Sequence, residues 1–152
     1  VMGTGRVATL SEHVLRAEGY SHVTRSEWPP ADTRFDVGIE TRADARKLEA
    51  LAQALVPGGT LVLKSRPATL VPVNVALVAQ RDLRVRGVSY APFEEAARRL
   101  ADETLDLSPW LGALHSFEDF RELLRCSPAE PTDVSDLAGK PLLACAEAAC
   151  AA

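Results

Sequence analysis

The chain opens on Val1-Met2 and runs at once into Gly3-Thr4-Gly5-Arg6-Val7-Ala8, which fits the pattern G-x-G-x-x-G/A. Such a string ties a strand to a helix through one tight turn. Gly3 permits the turn, and Gly5, without a Cβ, lets a ligand reach the backbone. Ala8 is small enough for the helix to pack close to a sheet. The helix then aims its N-terminal amides, Thr4 to Val7 at their root, at an anion such as a diphosphate, and Arg6 adds a charge-assisted contact. A strand of about five residues normally precedes such a turn. Only Val1 and Met2 stand here, so the first strand reads as truncated. Glycine pairs are common at ordinary turns, and the motif gains its weight from the helix and strand that come after it.

Residues 6–18 carry Val7, Leu10, Val14 and Ala17 at helical spacing, and Gly19 stops the helix. His22 to Thr24 reads as a short strand. Trp28-Pro29-Pro30-Ala31-Asp32 is a loop set by its prolines. Phe35 to Glu40 is a strand, and Ala43 to Leu55 a helix with Ala45, Leu48, Leu51, Ala52 and Leu55 on one face. Val56-Pro57-Gly58-Gly59 breaks the chain. Thr60 to Leu63 is then apolar on both faces, as in a parallel sheet covered on both sides. Val71 to Ala79 fits a helix or a strand. Leu83 to Val88 is a further strand, and Phe93 to Ala101 a helix with Phe93, Ala96, Ala97 and Leu100 inward. Leu105 to Leu114 reads as extended. A short helix begins at Ser116, with Asp119 in the capping-box position and Phe117, Phe120, Leu123 and Leu124 buried. Residues 126–139 form a polar loop, and Leu142-Leu143 a last strand. The alternation specifies an α/β fold: a Rossmann-type, doubly wound, largely parallel sheet with helices on both faces. One domain spans residues 1–143, and the alanine-rich residues 144–152 form a frayed tail.

Length and composition remove several alternatives. The 152 residues suffice for one domain with a core. A net charge of -4 gives no attraction to nucleic acid or anionic lipid. No apolar run approaches the roughly 20 residues of a membrane helix, and no signal peptide is legible; the expectation is a cytoplasmic protein. Cys126, Cys145 and Cys150 form no Cys-x-x-Cys pair, which suggests reduced thiols rather than a disulfide framework. His13, His22 and His115 pair with no cysteine at metal spacing, so no zinc is expected in this chain. No G-x-S-x-G nucleophile sequence occurs, and no catalytic residue is assigned. Trp28 and Trp110 have the ring to stack on a ligand, and core or loop anchoring is the favoured reading for both.

The end of the second strand decides which ribose a dinucleotide site takes. An acid there binds a 2′-hydroxyl, whereas an arginine suits a 2′-phosphate. The sequence offers Arg25-Ser26-Glu27, so NAD and NADP both stay open, with Arg25 and Ser26 tilting the reading to NADP. Glu40, Thr41, Lys64 and Ser65 lie at the C-terminal ends of strands, where ligands sit in open α/β sheets.

Longer strings then resemble a family. Leu55-Val56-Pro57-Gly58-Gly59-Thr60-Leu61-Val62-Leu63-Lys64-Ser65 resembles the fourth-strand region of zinc-type alcohol and polyol dehydrogenases, the medium-chain dehydrogenase/reductase superfamily. Leu83 to Tyr90, with Arg84 and Gly87, resembles the next strand. Pro92 to Ala96, Leu105 to Pro109 and Ser116 to Phe120 resemble later segments, in order, up to Arg125. The resemblance implies an NAD(P)-binding domain of an oxidoreductase that moves hydride between nicotinamide and an alcohol or carbonyl substrate. It also implies a separate zinc-bearing catalytic domain, which this chain is expected to lack. A homodimer or a partner dehydrogenase chain, paired through the strand near Trp110 to Leu114, is implied as well. Thr41-Arg42-Ala43 departs from the family, which usually carries a Thr-Gly pair there. Two other readings fit some of the same residues. A class I S-adenosylmethionine-dependent methyltransferase also has a glycine turn, an acidic strand such as Phe35-Asp36-Val37 and a Pro-Gly-Gly phrase, although the chain after Leu63 does not suggest its antiparallel ending. The third reading is a non-catalytic, dehydrogenase-derived subunit.

Overall fold

Short apolar strands that alternate with amphipathic helices bury both faces only by forming a parallel sheet under helices. The computed structural model describes residues 1–89, 92–102, 105–121 and 140–144, and the chain divides into two units, Val1–Ala96 and Ala97–Ala152. The first unit contains α1 (Arg6–Ala17), β1 (Phe35–Glu40), α2 (Ala45–Ala54), β2 (Leu55–Leu63), α3 (Val75–Gln80) and β3 (Arg84–Gly87). All three strands run parallel in the order β1-β2-β3, with Val37 opposite Thr60 and Leu61 opposite Val85.

The opening residues extend this sheet. Met2 bridges Ser26 on one side and Glu40 on the other, both in parallel. Its amide donates to Ile39 O at 2.8 Å, and the Gly3 amide donates to Ser26 O at 2.8 Å. Across the sheet the order is therefore Ser26, Met2, β1, β2, β3. The chain winds outward from Met2 in both directions, which is the Rossmann-type arrangement. Eight residues, Glu27 to Arg34, carry it back from Ser26 to β1 without a helix. Parallel crossovers ordinarily take a dozen residues or more, usually with a helix.

Each helix of the β1-β2-β3 half has a local cause. The Asp44 carboxylate accepts from the Lys47 amide at 3.0 Å and starts α2, and the Asn74 side chain accepts from the Leu77 amide at 3.0 Å and starts α3. Asn74 thus settles the ambiguous stretch 71–79 as helical from Val75 onward. α2 buries Leu48, Leu51, Ala52 and Ala54. The core joins Leu51 and Ala52 to Met2, Leu55, Leu61 and Leu83. Gly38 on β1 lets α2 approach, because a Cβ there would stand 2.9 Å from the Leu51 side chain. Removing the cap by Asp44→Ala is expected to cost about 1 kcal/mol. Urea unfolding checks this: the midpoint falls while the slope is unchanged.

Some expectations shift. β2 begins at Leu55 rather than Thr60, and Val56 to Gly59 form an irregularity between the pairs Phe35–Leu55 and Val37–Thr60. His22 to Thr24 form no ladder; the pairing falls at Ser26. The α1 stripe is not a buried face: Val7 is 49% exposed and Leu10 37%, while Ala8 is fully buried. α4 (Phe93–Ala101), which straddles the division between the units, buries none of its residues, and Phe93 is 83% exposed. Helical spacing specifies which side chains share a face. It does not supply an element to cover that face.

In the second unit β4 (Leu111–Ser116) pairs in parallel with β5 (Lys140–Ala144). Leu105 to Leu114 is not extended throughout, because a 3-10 turn at Ser108–Trp110 precedes β4. A second 3-10 turn, Phe117–Asp119, comes after it, with Ser116 Oγ accepting from the Glu118 amide at 3.3 Å. Phe117 and Phe120 are exposed and stack on each other, their ring centroids 6.0 Å apart. Leu123, Leu124, the loop 126–139, the tail beyond Ala144 and all three cysteines lie outside the described residues. Among the described residues no helix is long and apolar enough to cross a membrane.

Candidate functional site

The strand order reverses at Met2, and the crevice beyond the carboxyl ends of strands at such a point is where open α/β sheets bind ligands. Gly3 leaves the sheet there with a φ of +130°, a conformation that L side chains rarely adopt. A Cβ on Gly3 would stand 2.4 Å from Thr41 Oγ1 and 3.4 Å from Ala8 Cβ. Thr41 is held in that position by donating to Met2 O at 2.9 Å. Thr41 and Ala8 thus clamp the turn against the sheet, and Ala8 brings α1 down onto it.

Gly5 differs from Gly3. It is the N-cap of α1, and a Cβ built on it meets nothing within 4 Å. No side chain caps α1, and its first turn holds no acidic residue, whereas α2 and α3 are each capped by a carboxylate or amide oxygen. The first-turn amides of a helix have no partner within the helix. Here the N-cap is a bare glycine with open space where a Cβ would stand. That is the cradle a diphosphate needs, and the residues fit one.

The ribose candidates separate. Glu27 lies beside the turn, where its Oε2 accepts from Thr4 Oγ1 at 3.3 Å and its Oε1 meets the Lys47 ammonium. Arg25 instead turns to α1, where its Nε lies 2.5 Å from Glu12 Oε2; Glu12 also pairs with Arg16 at 2.8 Å. Ser26 is engaged through its backbone in the sheet.

Glu40 and Ser65 come together. Glu40 is only 1% exposed, and its Oε2 accepts from Ser65 Oγ at 2.7 Å and from the Ser65 amide at 3.4 Å. Its Oε1 is buried without a hydrogen-bond partner among the described residues. The Lys64 amide donates to Glu40 O at 3.1 Å, so the end of β2 is tied to the end of β1 just below the turn. Among the described residues no group of three or more His, Cys, Asp or Glu is placed to hold a metal ion.

Sequence reasoning overlooked Lys47. Lys47 sits in the first turn of α2, its side chain 13% exposed, with the ammonium on Glu27 and 5.5 Å from the Trp28 ring centroid. One signal was available. A cation in the first turn of a helix opposes the helix dipole, and a nearby anion offsets that cost.

No family model matches the chain. A protein assigned as a D-xylulose reductase from Rhizobium meliloti is 33% identical over 102 residues, which cover 65% of this chain and 30% of that protein. The chain thus spans about a third of the length of the curated relatives it matches. Among solved structures, L-idonate 5-dehydrogenase from Escherichia coli superposes with a TM-score of 0.72 at 17% identity, covering 93% of this chain and 48% of that one. S. aureus TarJ in complex with NADPH gives 0.67 at 19% identity, covering 93% and 53%. These likenesses establish the Rossmann-type fold.

Proposed function

We propose that the chain is the dinucleotide-binding part of a zinc-type, medium-chain alcohol-dehydrogenase-like oxidoreductase. The observation that carries this reading is the open Gly5 cradle at the reversal of strand order, with Glu27 across it. The names of the relatives support it: a D-xylulose reductase and an L-idonate 5-dehydrogenase, beside TarJ, which holds NADPH.

In this reading the bound nicotinamide supplies hydride transfer to or from an alcohol or carbonyl carbon. The chain supplies binding and orientation. The amides from Gly5 to Ala8 receive the diphosphate, backed by the positive end of α1 and by Arg6. Thr4, Glu27 and the Arg25-Ser26 segment border the adenosine ribose. Glu40 and Thr41, with Lys64 and Ser65, border the nicotinamide half. The substrate pocket and a catalytic zinc belong, in this proposal, to another segment or to a partner chain.

The test is thermal unfolding of the chain with NADH, NADPH or S-adenosylmethionine. A nicotinamide dinucleotide at a hundred times its Kd is expected to stabilise the folded state by about 2.7 kcal/mol, and the methyl donor by nothing. Stabilisation by the methyl donor alone points to a methyltransferase instead. Indifference to all three contradicts a nucleotide site.

A further inference from the structure

We propose that Lys47, a residue of α2, selects the 2′ group of the dinucleotide, and that the pair Glu27–Lys47 fits the site to the 2′-phosphate of NADP(H). This rests on the reading of the glycine turn as a dinucleotide site.

Lys47 is an unusually covered lysine. Lysines are almost never buried unless paired, and a cation in the first turn of a helix faces the helix's positive end. Lys47 nevertheless keeps only 13% of its side chain exposed. Two groups hold it there: the Glu27 carboxylate, and the Trp28 ring, which faces the ammonium at 5.5 Å in cation–π geometry. Both come from the short connector Glu27 to Arg34, in which Trp28 is next to Glu27 and no helix intervenes.

The consequence falls on the ribose. An acid at the end of the second strand takes the 2′-hydroxyl and repels a 2′-phosphate. At Glu27 both oxygens are already engaged, one by the Lys47 ammonium and the other by Thr4 Oγ1. The Lys47 ammonium neutralises the Glu27 carboxylate, which weakens both its hold on a ribose diol and its repulsion of a 2′-phosphate. With three N–H donors, the Lys47 ammonium can meet a 2′-phosphate while it keeps Glu27. Arg25, the cation that the sequence suggests for this role, is paired with Glu12 on α1. The cation at the ribose position therefore comes from α2.

Binding of NADPH and NADH to the whole chain, monitored by energy transfer from tryptophan to the reduced nicotinamide, tests this. NADPH is expected to bind about ten- to a hundredfold tighter than NADH. Lys47→Met is expected to weaken NADPH by a similar factor and to leave NADH unchanged or tighter, because Glu27 is freed for the diol. Lys47→Arg keeps the charge and is expected to keep the preference for NADPH. Circular dichroism confirms that each variant is folded. An unchanged NADPH/NADH ratio in folded Lys47→Met overturns the inference while the dinucleotide site stands. A ratio that collapses instead in Arg25→Met overturns it in favour of Arg25. If the wild-type chain binds neither cofactor, the site reading itself fails and takes this inference with it.

Discussion

Replacing Gly5 by valine is expected to abolish dinucleotide binding while leaving the fold in place. Gly5 has φ −73° and ψ 175°, a conformation open to any residue, and a Cβ there meets nothing within 4 Å. The folded chain therefore accepts the side chain without strain. The cost is confined to a poorer N-cap, about 1 kcal/mol or less. The valine methyl groups then fill the space over the first-turn amides of α1. A diphosphate can no longer reach those amides, and an affinity loss of about a hundredfold or more is expected, near 3 kcal/mol. Calorimetric titration of the variant with NADPH, beside a thermal scan, checks both halves. Retained affinity would show that the anion does not bind at this turn. A collapsed melting temperature would show that Gly5 serves folding instead.

Gly3→Ala is expected to do the opposite and damage stability first. The backbone there has φ +130°, and holding an L residue in such a region costs about 1–3 kcal/mol. The new Cβ would stand 2.4 Å from Thr41 Oγ1, so Thr41 must rotate and give up its 2.9 Å bond to Met2 O. That bond is worth about 1 kcal/mol. The sum, about 2–4 kcal/mol, corresponds to a fall in melting temperature of about 5–15 °C for a chain of this size. The double variant Gly3→Ala, Thr41→Ala is expected to cost less than the two single changes added, since the collision then has no partner. Strict additivity would mean that Thr41 does not press on the turn.

The contrast between these glycines was only half legible in the sequence. The motif assigns one glycine to the turn and one to the ligand; the structure shows Gly3 in the left-handed region against Thr41, and open space at Gly5. It does not announce Thr41, 38 residues away from Gly3, as the clamp. β1 was legible end to end, because Phe35, Val37 and Ile39 alternate between a proline-rich loop and a helix cap. α2 was legible because its apolar stripe has a core to meet. α4 and α1 carry stripes as regular, yet Phe93 and Val7 stay exposed. The start of β2 was misread because Pro57 and Gly58 look like a break, whereas the ladder absorbs them as an irregularity. Lys47 was hidden for a topological reason. It meets Glu27 only because strand order reverses at Met2, which brings the end of the Ser26 segment and the start of α2 to one edge. Local spacing carries no record of that reversal.

The most direct measurement is a titration of the ¹⁵N-labelled chain with NADP⁺, read amide by amide. The largest shifts are predicted at Gly5, Arg6, Val7 and Ala8, the amides where α1 begins. Saturable shifts that cluster elsewhere, with those four signals unmoved, would contradict the assignment of this helix start as the diphosphate seat.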